Sequence, residues 1–264
     1  MDTKAYNEML KLIDTRLKAR HWGCFADGSS KGKKPRFYIL DYRGFALATG
    51  IIRYYSRETD TAIFYRGQDE DWEIKPSFYR KITCKSELEK ANKWRKELLE
   101  ELRDYFDPKG TDEEREALAQ HYGLHTKFLD VVDNIQSALW FAYDNVQFSD
   151  NKFDASVGYV EVMAFEKDKF EILDLRNKPS KWMRPHVQQG FCIKANKPDK
   201  SLGSLQKNLV LTFIVPKELL RIWSNYDNMP RYFFYPEEAH DDGLVFWNKA
   251  KKELECKGID INAW

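Results

Sequence analysis

Short runs rich in β-branched and aromatic residues set the main constraint on this chain. SVGYVEVMAF (156–165), FEILDL (170–175), GFCI (190–193) and NLVLTFIV (208–215) all have strand character. AIFY (62–65) reads as a buried strand ending at Arg66-Gly67, and HTKFLDVV (125–132) as another. Helical periodicity fills the intervals. Tyr6, Met9, Leu10, Ile13 and Leu17 predict an opening amphipathic helix that packs as a cover. Leu88, Ala91, Trp94, Leu98, Leu102 and Phe106 predict a long one stopped by Asp107-Pro108 and Gly110. Thr111 and Glu114 form a capping-box pair for a helix that ends at Gly123, and Asp133 with Gln136 restarts a helix through Ala138, Leu139, Ala142 and Tyr143. Pro216 opens a short helix, and a closing one runs from about Asp242 to Glu255. Strands among helices predict an α+β fold with a mixed or antiparallel sheet. No repeat and no long linker forces a domain boundary.

Composition narrows the function. With 42% apolar and 32% charged residues in 264, the chain has a core to bury and is neither fibrous nor disordered. Forty-three Lys and Arg against 42 Asp and Glu leave a net charge of +1, so any nucleic-acid contact must be a local patch. The loop DGSSKGKKPR offers one, with Lys31, Lys33, Lys34 and Arg36 at its tip and Arg16, Lys18, Arg20, His21 and Trp22 before it. No apolar run approaches the roughly 18–20 residues of a membrane span, and MDTKAYNEML lacks a leader's apolar stretch, so no membrane contact and a cytoplasmic location are expected. Cys24, Cys84, Cys192 and Cys256 form no C-x-x-C pair, which predicts neither a disulfide framework nor a cysteine zinc site.

Three segments gather polar chemistry. In FYRGQ (64–68) an apolar strand delivers Arg66 to its end, where a guanidinium grips phosphate through two parallel hydrogen bonds and Gly67 lets a ligand approach the backbone. The structural alternative pairs Arg66 with Asp69 or Glu70. ALAQHYGLHTKFLD (117–130) places Gln120, His121 and Tyr122 on a last helical turn and His125, Thr126 and Asp130 beyond it. Gly123 separates the two histidines, so they cannot share a helix face, and no metal is expected. MRPHVQQGFCI (183–193) supplies Arg184, His186, Gln188 and Gln189, whose amides suit a sugar hydroxyl. A fourth segment, FYPEEAHDDG (234–243), carries Glu237, Glu238, Asp241 and Asp242, the last two reading as helix caps.

In combination and order these motifs resemble the FRG domain, a bacterial family named for its Phe-x-Arg-Gly signature. FYRGQ, Trp72 and PSFYR (76–80) match its first element, LAQHYGLHTKFLD and SALWFA (137–142) its second, and QQGFCI (188–193) and FYPEEAHDDG later ones, from about residue 60 to residue 250. Lys127 stands where the family usually has arginine, His125 where proline is common, and Val131-Val132 where Trp-Thr often follows the aspartate.

The resemblance implies a distant relation to ADP-ribosyltransferases: a split sheet core over 59–264 behind an N-terminal helical and basic extension, 1–58. It further implies mono-ADP-ribosyl transfer from NAD to a macromolecule (RNA, DNA or protein), by a bacterial toxin or anti-phage effector with a neutralising antitoxin. NAD is substrate and no metal takes part. On this reading Arg66, His121, Asp130 and Gln189 are catalytic. Arg66, Gly67, Gln68, Gln120, Tyr122, Thr126 and Phe141 bind NAD, with Tyr122 or Phe141 stacking on nicotinamide, and Lys31, Lys33, Lys34 and Arg36 bind the acceptor. Gln189 falls near the third motif's usual glutamate, which this chain lacks, leaving Asp130, Glu161, Glu237 or Glu238 to supply the carboxylate and His121 to take the acceptor's proton. The rival expectations are an NAD glycohydrolase, a ribonuclease using His121 and His125, and a non-catalytic nucleotide-binding module.

Overall fold

A computed structural model of the chain describes residues 3–26, 34–57, 59–104, 109–144, 156–179, 181–195, 203–261 and 263–264. The first elements are α1 (Thr3–Ala19), β1 (Gly23–Ala26), β2 (Arg36–Ile39), α2 (Tyr42–Ser56) and β3 (Thr61–Gln68). Then come α3 (Lys85–Leu102), α4 (Asp112–His121), β4 (Leu129–Val132), α5 (Ile135–Asp144), β5 (Val157–Glu166) and β6 (Phe170–Asp174). The last are α6 (Met183–Gln188), β7 (Gly190–Ala195), β8 (Leu209–Pro216), α7 (Lys217–Trp223), α8 (Arg231–Phe234) and α9 (Asp242–Cys256). The described residues thus form a mixed α/β fold, and the chain passes back and forth between two compact units. One comprises Met1–Glu73, Val132–Asp168 and Gln206–Pro230; the other comprises Ile74–Val131, Lys169–Leu205 and Arg231–Trp264.

In the first unit the strands run β1-β2-β8-β5-β3, with β2 and β8 parallel and the other neighbours antiparallel. Strand alternation turns Phe37, Val160, Val162, Leu211 and Phe213 to one face. There they join Met9, Ile13 and Leu17 of α1, Phe45, Ala48 and Ile52 of α2, and Ala138, Leu139 and Ala142 of α5 in one core. The expected boundary at 58/59 is therefore not where this unit divides. Residues before it contribute two paired strands, and helices α1 and α2 bury their apolar stripes in the same core as β3 and β5.

Two glycines let α5 lie close against its strands. A Cβ on Gly67 would run into the Ala138 carbonyl and fall 2.5 Å from the Ala142 nitrogen. One on Gly158 would fall 2.6 Å from the Ala142 oxygen and 2.5 Å from Leu220 Cδ1. The close approach that Gly67 was expected to offer a ligand is taken by a helix. The start of α5 also differs: the Ser137 amide donates to Asn134 Oδ1 at 2.8 Å, so Asn134 fills the capping role expected of Asp133.

The second unit contains β4-β7-β6 and a core of Leu98, Leu102, Leu118, Phe128, Trp182, Trp247 and Leu254. Its central helix, α4, begins with the expected capping box: Glu114 N donates to Thr111 Oγ1 at 3.1 Å and Thr111 N to Glu114 Oε2 at 2.9 Å. Gly123, at φ +106°, closes it, with Leu124 N donating to Ala119 O at 3.1 Å. Among the described residues no helix is long and apolar enough to cross a membrane.

Gly67→Ala should destabilise the protein by about 1–3 kcal/mol, because the methyl group meets helix backbone. Gly50→Ala, on α2 where a Cβ meets nothing within 4 Å, should stabilise it by about 0.5–1 kcal/mol. Urea unfolding of both variants measures the contrast.

Candidate functional site

A polar row crosses four strands of the first unit. Register sets Arg66 on β3 opposite Glu161 on β5, Glu161 opposite Thr212 on β8, and Thr212 opposite Arg36 on β2. Residues paired in this way share a face, and because Gly67 faces α5 the row faces away from that helix. Glu161 is only 1% exposed and accepts from Thr212 Oγ1 at 2.8 Å. Burial pushes its pKa up to about 7, with Asp71 adding to the rise, while the Thr212 bond and the charges of Arg36 and Arg66 pull it down. Arg36 is ion-paired with Asp71 and lies 5.9 Å from the Tyr159 ring centroid. Arg66 Nε donates to Gln68 Oε1 at 3.4 Å. Gln68 Nε2 donates to the Trp72 carbonyl at 3.3 Å, which leaves the amide oxygen facing the guanidinium. A carboxylate that titrates near neutrality, set between two arginines, can exchange a proton and answer a cation or a sugar hydroxyl.

The second unit carries a different cluster. His121 ends α4, Asp130 lies on β4 and Cys192 on β7. His121 Nε2 lies 4.0 Å from Asp130 Oδ1 and 3.8 Å from Cys192 Sγ, and Sγ is 3.4 Å from Asp130 Oδ1. His121 Nδ1 is 2.7 Å from Gln188 Oε1, and Gln188 Nε2 donates to the Phe234 carbonyl at 2.8 Å. The amide orientation therefore makes Nδ1 the protonated nitrogen and leaves the Nε2 lone pair facing Cys192 and Asp130. Burial and the neighbouring Asp130 carboxylate hold the Cys192 thiol well above its ordinary pKa.

Arg66, Gly67, Gln68 and Phe141 belong to the first unit, and Gln120, His121, Tyr122, Thr126, Asp130 and Gln189 to the second. Several of these positions differ from expectation. Tyr122 is 5% exposed; its hydroxyl donates to Asp241 Oδ1 at 2.8 Å, its ring meets Trp182 edge-on at 6.2 Å, and the Arg184 guanidinium covers it at 4.9 Å. It is a core ring whose hydroxyl and one face are already engaged. Thr126, wholly buried, donates to Gln120 Oε1 and accepts from Phe128 N at 3.2 Å, so the pair braces the turn after α4. Gln189 sits exposed in the left-handed region at φ 58°, and the inward amide is its neighbour Gln188. Gln68, 4% exposed, orients Arg66. Phe141 is half-buried against the first core, edge-on to Trp140 at 5.4 Å. His125 Nδ1 is held 2.7 Å from the Trp264 main-chain oxygen. Of the four expected acceptor-binding cations, Lys31 and Lys33 lie outside the described residues, Lys34 precedes β2, and Arg36 is in β2, paired with Asp71 instead of forming part of a loop tip.

The row depends on Glu161, which the sequence placed only among several carboxylates, and the cluster on Gln188 and Cys192, which were given no such role. One signal was available for Glu161: it is the only charge in GYVEVMAF, and a lone carboxylate in a central strand is costly to bury. The profile of the FRG domain family matches residues 61–151. The chain carries an FRG domain over that span, shorter than the motifs suggested, which takes in Arg66, α4, Asp130 and α5 but neither Glu161 nor Cys192. Comparison with curated proteins gave no match, and comparison with solved structures gave none.

The raised pKa of Glu161 has a definite sign in stability. Between about pH 4.5 and about pH 7 the unfolded chain releases this proton while the folded chain keeps it, so stability falls as pH rises through that window. Relative to Glu161→Gln, the wild type should lose about 3 kcal/mol across it, each unit of pKa being about 1.4 kcal/mol. Denaturant titrations at several pH values measure the slope; parallel curves for the two proteins would refute the shift.

Proposed function

We propose that the chain is a mono-ADP-ribosyltransferase that uses NAD to modify a macromolecule, with Arg66 and Glu161 at its reacting centre. The observation that carries this reading is their pairing across adjacent strands, a guanidinium opposite a buried carboxylate. In this proposal Arg66 holds the pyrophosphate, oriented by Gln68. The C1′–N bond to nicotinamide breaks, and its electron pair leaves with the neutral base. The positive charge that develops on the ribose is met by the Glu161 carboxylate, and the acceptor then attacks C1′ and releases a proton. The cationic nicotinamide ring favours the ionised form of a group poised near pH 7. Glu161 thereby takes the part of the glutamate that the third motif lacks.

The distant relation to the ADP-ribosyltransferase fold belongs to the same proposal. So do a role as toxin or anti-phage effector in the cytoplasm, a neutralising partner, and an RNA acceptor approached through Lys31, Lys33 and Lys34. This context is what the resemblance of the motifs implies; the family match itself covers residues 61–151.

Incubating the purified chain with labelled NAD and separate pools of RNA, DNA and protein tests the reading. Free nicotinamide and label in one pool are expected, with transfer reduced at least about 100-fold in Arg66→Ala and in Glu161→Gln. Nicotinamide release without labelled macromolecule would make the chain a glycohydrolase. Undiminished transfer in Arg66→Ala would remove the arginine from the site, and absence of NAD turnover with every pool would end the proposal.

A further inference from the structure

We propose that His121, Asp130 and Cys192 form a binding site for a zinc-class divalent cation. Three donors of different chemistry come from α4, β4 and β7, and their ligand atoms all lie within 4.8 Å of one another. Tetrahedral Zn²⁺ with ordinary bond lengths separates N and S, N and O, and S and O donors by about 3.3–3.6 Å. The separations here are 3.8, 4.0 and 3.4 Å, so closing on a cation takes shifts of a few tenths of an ångström.

A second observation points the same way. Gln188, itself held by the Phe234 carbonyl, fixes the proton of His121 on Nδ1 and aims the Nε2 lone pair into the cluster. A hydrogen bond of this kind from the far ring nitrogen orients metal-bound histidines generally. Gly190 keeps the space that the imidazole needs, since a Cβ there would fall 2.5 Å from His121 Cε1.

The cluster is already knit together: the fully buried Cys192 Sγ donates to Asp130 Oδ1 at 3.4 Å, and a divalent cation that displaces the thiol proton would bind the same two atoms. Mixed sulfur, nitrogen and oxygen donors select zinc over calcium or magnesium. Asp130, whose side chain is 41% exposed, provides the route in, and three protein donors leave a fourth position for water or another ligand. Spacing concealed the set, because Cys192 lies 71 residues beyond His121.

Cobalt substitution of the full chain tests the site independently of any transferase activity. Co²⁺ should give one thiolate charge-transfer band per chain, displaced by one equivalent of Zn²⁺, and Cys192→Ser should abolish it. Exposed Cys24, Cys84 and Cys256 remain in that variant, so a band that persists would belong to them and overturn the site. A wild type without a band would overturn it too. Should Cys192→Ser fail to fold, Asp130→Asn at the half-exposed position serves instead. Competition with a chromophoric chelator should then show zinc affinity at least about tenfold weaker, and unchanged affinity would refute the assignment.

Discussion

Consecutive residues of a strand point to opposite faces, and at Arg66-Gly67 the fold uses both faces within two residues. Gly67 admits the backbone of α5, whose Ala138 carbonyl leaves no space for a side chain. Arg66 must then face away from that helix, and the register of β3 on β5 sets it opposite Glu161. Slipping β3 by one residue would drive the guanidinium into α5 and turn the row inside out. The arginine-glycine pair is therefore a packing signature first, and its chemistry follows from the packing.

Two buried glutamates show what separates a structural carboxylate from a poised one. Glu116, 1% exposed, receives both the Nε and a terminal nitrogen of Arg95, and the Lys127 amide as well at 3.1 Å. Such a two-point pair with a backbone donor gives the carboxylate oxygens charge-assisted hydrogen bonds from three donors. Glu161 is just as buried, but its hydrogen bond among the described residues comes from a neutral hydroxyl, and its arginines act through charge. Desolvation wins there, and the group titrates near neutrality.

Periodicity made most elements legible. The opening helix, the α4 capping box, the Gly123 stop and the strands at 62–65 and 208–215 all lie where spacing put them, because each is decided by local pattern. Division of the chain was not legible, since the pairing of β2 with β8 joins residues far apart in sequence. Adjacent choices failed for a related reason. Whether Gln188 or Gln189 turns inward depends on where α6 ends and its left-handed cap begins, and both residues offer the same amide. Tyr122 and Thr126 have polar groups suited to a ligand, and only their burial shows that Asp241 and Gln120 already engage them.

The lysine at position 127 makes the same point from a departure. The motifs that the chain resembles usually place arginine there, yet the nearby carboxylate, Glu116, is already gripped by the planar fork of Arg95. A second fork would find no free pair of oxygens. A lysine needs only single contacts, and Lys127 Nζ donates to Asn92 Oδ1 at 2.5 Å and lies 5.2 Å from the Phe78 ring centroid. Burial, followed by the repulsion of Arg95, brings its pKa down to about 8, which leaves most of the charge in place at neutral pH. Arg95 of α3 and Lys127 thus share the surroundings of Glu116, and both brace α4.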